Sequence, residues 1–200
     1  MHQVMKMKDH MTEKTIRTEE RRLPALGAAC LLGALAGSLC CSRVEALQRL
    51  MQNQLEGQQT LWQHLLPDGI LLLVMLAAGF FRAGCLIALL TSTAKGFWLS
   101  AAATLGVIRL GNGGYALSLV VWFLPGFLSM TALLLLGRQA MGWAAARSRL
   151  PAGRGKRLLP DGTYYGTAVI CMGILLLSAA IAVRILPGLW ATVSTFLPAK

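Results

Sequence analysis

The chain is short of charge, and of acid above all. It has 8 Asp and Glu against 19 Lys and Arg, and charged residues make up only 14% of its 200 positions. Soluble domains carry nearer a quarter. Outside the apolar runs no polar stretch reaches 30 residues, which excludes a large catalytic domain beside them. No acidic residue is expected within a membrane span. That argues against Asp or Glu proton relays and against an intramembrane aspartyl protease. HExxH, GxSxG and Walker A motifs are missing. The 5 cysteines form no CxxC and no zinc-ligand spacing. No catalytic, metal or cofactor residue is therefore expected.

Apolar sequence is what remains. Hydrophobic residues make up 56% of the chain, and the mean hydropathy is +0.59. A domain this small cannot hide that much apolar surface in one soluble core. The composition predicts an all-α, polytopic membrane protein with about five transmembrane helices. The formal net charge is +11. Its basic residues fall mainly beside apolar runs, so the excess reads as a topological signal, with no nucleic-acid partner expected.

Along the chain, residues 1–22 form a polar arm leading into an uncleaved first span at 23–41. In that span Gly33 and Gly37 make a GxxxG, a face on which helices approach closely; the partner is either internal or another protein. Residues 42–66 follow, with Val44, Leu47, Met51, Leu55, Trp62 and Leu65 at helical spacing. This amphipathic segment is read as an interfacial helix or as an extracytoplasmic docking surface, with Leu47, Met51, Leu55 and Trp62 as the candidate partner surface. Pro67-Asp68-Gly69 is a turn signal expected to end it.

The second span is expected at 69–92, interrupted by Arg82, an intramembrane charge that should face the bundle. A tight connection over 93–96, containing Lys95 and Gly96, then leads to a short third segment at 97–110. Segments two and three either both span or form a re-entrant pair. Gly111, Gly113 and Gly114 mark a turn. The fourth span, 115–136, carries Pro125 and Gly126 at its centre and should kink there. A basic loop at 137–163 and a fifth span at 164–186 complete the membrane domain of 23–186, and a short extracytoplasmic tail is expected at 187–200. The basic loop also suits anionic lipid headgroups.

With the N-terminus inside and five spans, 13 basic residues fall on the cytoplasmic side and 5 outside, with Arg82 in the membrane. The expected orientation is N-terminus cytoplasmic and C-terminus extracytoplasmic in a cell membrane.

The order of features over 95–136 resembles the stage II sporulation protein M family. Lys95-Gly96-Phe97 follows a long apolar span, the glycine-rich turn Gly111 to Gly114 comes next, then Leu124-Pro125, then Leu133 to Leu136. The layout is similar over 23–186, and the motifs are confined to 79–136. One departure is Gly126-Phe127, where family members often carry polar residues after the proline; no role of those polar groups is carried over. The resemblance implies a non-enzymatic membrane scaffold, with a cytoplasmic N-terminus and an extracytoplasmic segment after the first span. It implies stage II sporulation proteins D and P, which degrade peptidoglycan during engulfment, as partners. A different class also fits the apolar chain: a small permease subunit of an export system, using Arg82 and the Pro125 kink to line a path. Gene neighbourhood separates the two.

Overall fold

A computed structural model describes residues 22–46, 48, 61–110, 124–148 and 160–184. The described residues form five helices and no strand: α1 (Arg22–Arg43), α2 (Leu61–Ala78), α3 (Gly84–Leu110), α4 (Leu124–Ser148) and α5 (Gly162–Arg184). Three of them, α1, α3 over Gly84–Ile108, and α5, are long and apolar enough to cross a membrane. The chain is thus an all-α polytopic membrane protein. Its outer surface is apolar, as contact with lipid requires. Leu31, Leu32, Leu35 and Leu39 stand exposed on α1, and Val169, Ile170, Leu176 and Leu177 on α5.

The helices alternate in direction. α2 and α3 form a hairpin whose turn, 79–83, is closed by short-range bonds: the Phe80 N–H donates to the Ala77 carbonyl and the Gly84 N–H to the Phe81 carbonyl. Arg22, this turn and the α4 residues Met141 to Ala144 share one end of the bundle. A Cβ at Gly84 would press on Ala144, and one at Gly142 would press on the Arg22 guanidinium. The main core contains Leu26, Leu72, Met75, Leu133, Leu136, Tyr164 and Leu175. A smaller cluster of Cys41, Ala101, Ala102 and Leu105 joins α1 to α3 toward the other end.

Several expectations are corrected. The 93–96 connection does not exist: Thr93, Lys95 and Gly96 lie in the middle of α3, which runs unbroken to Leu110. A turn there would expose backbone polar groups to hydrocarbon, whereas a continuous helix bonds them internally. The chain reverses at 79–83 instead, so Arg82 is exposed in a turn at the bundle's end and not at mid-depth. Pro67-Asp68-Gly69 does not end a helix but lies inside α2. Proline and glycine are tolerated in membrane helices where the surroundings satisfy the backbone. An acidic residue, Asp68, therefore lies within an apolar helix of the bundle.

α4 continues to Ser148, so 137–148 is helical and the basic loop is shorter than expected. Pro125 lies in the first turn of the described α4, where its missing N–H breaks no helical bond. A central kink is therefore not found within the described part of this helix, and residues 115–123 lie outside the described residues. Leu47, Met51, Leu55, Gly111, Gly113 and Gly114 also fall outside the described residues.

Candidate functional site

Two contacts made by α3 define the interior of the bundle. The first is with α1. Gly33 and Gly37 are buried, and a Cβ on either would overlap α3 backbone, at Thr93 and Phe97 respectively. Gly96 answers from the other side, where a Cβ would overlap the Cys30 carbonyl. The small-residue face of α1 thus packs internally, which settles the open choice of partner and leaves no room there for a second protein. Thr104 Oγ1 donates to Ser38 Oγ at 3.2 Å, and Cys30 Sγ lies 3.7 Å from Met130 Sδ.

The second contact is with α2. Lys95 is 6% exposed, and its Nζ donates to Asp68 Oδ1 at 2.5 Å. Asp68 lies about 15 Å from the C-terminal end of α2, and Lys95 about 16 Å from the start of α3, at 1.5 Å per residue. Both charges therefore sit at matching heights along the hairpin, about 15 Å from its turn. Either one alone would cost about 2.5–3.5 kcal/mol on insertion scales. Paired, they neutralise one another. The Lys95 side chain is 8% exposed and that of Asp68 21%, so the carboxylate is the more open end. One turn before Lys95 on α3, Ser92 is fully buried with no hydrogen-bond partner for its hydroxyl. Thr91 and Thr93 bond back to the Ile87 and Leu89 carbonyls of their own helix.

Polar groups elsewhere in the bundle also meet protein partners. Ser178 Oγ of α5 donates to the Pro125 carbonyl at 2.7 Å, and Gln139 Nε2 of α4 to Thr167 Oγ1 at 2.8 Å. Tyr164 is buried, and its hydroxyl donates to the Leu76 carbonyl at 2.7 Å, holding the last turn of α2. At the same end the Arg147 guanidinium lies 5.9 Å from the centre of the Phe80 ring, a cation–π contact. Asp161 caps α5. Its carboxylate accepts from Thr163 Oγ1 at 2.6 Å and from the Tyr164 N–H at 3.1 Å. Donation by the Thr163 hydroxyl holds its pKa below the usual carboxylate range against the opposing effect of desolvation, with the Tyr164 N–H adding to the lowering.

Of the residues picked out in the sequence, the structure brings Lys95 and Gly96 to opposite contacts of α3 and places Gly33 and Gly37 against it. Gly126 packs under Leu99, also of α3. Arg82 is apart from all of these. Trp62 is exposed near the start of α2. Asp68 was missed because Pro-Asp-Gly reads as a turn. A signal was nonetheless present. Asp68 precedes Gly79 by eleven positions and Lys95 follows Gly84 by eleven, so a hairpin closed between those glycines places the two charges opposite each other.

Among the described residues no three of His, Cys, Asp and Glu come close enough to hold a metal ion. The arrangement is a helical membrane bundle in which the Lys95–Asp68 ion pair joins two helices. No family model, curated protein or solved structure matches the chain.

Proposed function

We propose that this protein is a non-enzymatic integral-membrane scaffold of the stage II sporulation protein M type, which recruits peptidoglycan-degrading partners during forespore engulfment. The observation that supports a scaffold is the position of Arg82. A permease would need it at mid-depth to line a path, and it lies in an end turn, while the interhelical charges Lys95 and Asp68 neutralise each other. The partner class rests on the resemblance carried by Lys95-Gly96-Phe97 and Leu124-Pro125.

The orientation is N-terminus cytoplasmic and C-terminus extracytoplasmic. Arg82 moves to the N-terminal side and Lys95 into the membrane, so the balance of 13 basic residues against 5 is unchanged. Because α3 occupies the glycine face of α1, the docking surface is assigned to the extracytoplasmic segment that carries Leu47, Met51, Leu55 and Trp62 in sequence. The test is co-purification from sporulating cells. Stage II sporulation proteins D or P should be recovered with the wild type. Replacing Leu47, Met51 and Leu55 by Ser should reduce recovery about tenfold, the scale on which a few anchoring side chains set affinity, with the protein still in the membrane. Failure of the wild type to recover either partner, or solute flux driven by an ATPase partner in proteoliposomes, would overturn the scaffold reading.

A further inference from the structure

α2 is poorly equipped to enter a membrane alone. Its apolar stretch is Leu65–Ala78, about 14 residues or roughly 21 Å, short of a core about 30 Å thick. Pro67 and Asp68 both lie in that stretch. The half of α2 around them is thinly covered by the bundle. Trp62, Leu66, Pro67 and Ile70 are exposed, a Cβ at Gly69 would meet nothing, and burial begins at Leu72. α3 is the opposite: long and apolar enough to span, and packed along α1 through Gly33, Gly37 and Gly96. An ion pair, Asp68 with Lys95, joins the uncovered half of α2 to this anchored helix.

We infer that Lys95 is the residue that admits α2 to the membrane: α2 and α3 insert as one hairpin, with the ammonium of the anchored helix neutralising the carboxylate of the weak one. Lys95 is thus a topological positioning residue, and the two charges have unequal roles. Without Lys95, Asp68 is an uncompensated charge in a helix already too short. Without Asp68, α2 becomes more apolar and needs no help. Failure of α2 to insert would leave the 79–83 turn on the opposite side of the membrane. The inference does not depend on what the protein recruits.

The experiment uses the full chain carrying an N-terminal tag, with Cys30, Cys40, Cys41, Cys85 and Cys171 replaced by Ala and a single reporter, Ala83→Cys. It is made by cell-free synthesis into sealed vesicles, where proteolysis cannot hide a misinserted product. A membrane-impermeant maleimide reports the side of residue 83 relative to the tag. In the parent the reporter should share the tag's side. Lys95→Leu should raise labelling from the opposite side about tenfold or more, the scale on which one uncompensated charge shifts insertion. Asp68→Leu should leave the reporter where it was. Asp68→Leu with Lys95→Leu, and Asp68→Lys with Lys95→Asp, should both restore the parent pattern. An unchanged pattern in Lys95→Leu would overturn the inference, and so would failure of either double variant to restore it.

Discussion

α3 is held by α1 and by α2, and the two contacts differ in kind. Against α1 the helix backbones meet directly, because Gly33, Gly37 and Gly96 put no side chain between them. Such a contact is extended and built from dispersion forces, the attraction that remains when lipid is as apolar as the helix. Against α2 the outer half carries the Lys95–Asp68 ion pair, while the inner half of α2 joins the shared core through Leu72 and Met75 and is held from α5 by the Tyr164 hydroxyl. The first contact is intolerant of volume and indifferent to charge. The second is the reverse. The same helix therefore shows two ways of joining segments in lipid, one by removing side chains and one by pairing groups that lipid cannot solvate.

That contrast fails most visibly at the glycines. Gly33→Leu combined with Gly37→Leu should abolish the folded bundle, because both side chains would enter α3 backbone at Thr93 and Phe97. The cost expected is above about 3 kcal/mol, the upper end for overpacking. Loss of the unfolding transition in detergent, with the protein still in the membrane fraction, checks this. A smaller effect is expected where α2 is held by one hydroxyl. Tyr164→Phe removes the donor to the Leu76 carbonyl and should cost about 1 kcal/mol, in the range of single hydrogen bonds in membrane proteins. The check is a reduced unfolding free energy together with faster hydrogen exchange at the end of α2.

The smallest effect should come from acid. Asp161 caps the helix that carries Tyr164, and its pKa is held below the ordinary value. A carboxyl whose folded value is depressed contributes stability above its unfolded pKa of about 3.9. That contribution fades as pH falls through the lower, folded value. Between pH 6 and pH 3 the first turn of α5 should therefore lose protection against hydrogen exchange. Asp161→Asn keeps a capping side chain that does not titrate, and should lose less. Equal losses in the two proteins would mean that another group sets the acid response.

The amino-acid sequence by itself determined the class of protein, an all-α membrane protein. Five apolar segments and few charges leave no other solvent than lipid for most of the chain. It also marked Gly33 and Gly37, since GxxxG has one use in an apolar helix, and it placed the fifth helix within two residues at each end. Only the tertiary structure decided where the chain turns between α2 and α3. Pro67-Asp68-Gly69 and the stretch around Lys95 carry strong local signals for breaks, and both lie within helices. Local signals describe what a segment prefers in water. In lipid an unbonded backbone group is costly enough to keep a helix continuous through a proline, and a charge on one helix is neutralised by its opposite on the next. The side chain that does so lies 27 positions away, and the folded hairpin is what brings it there.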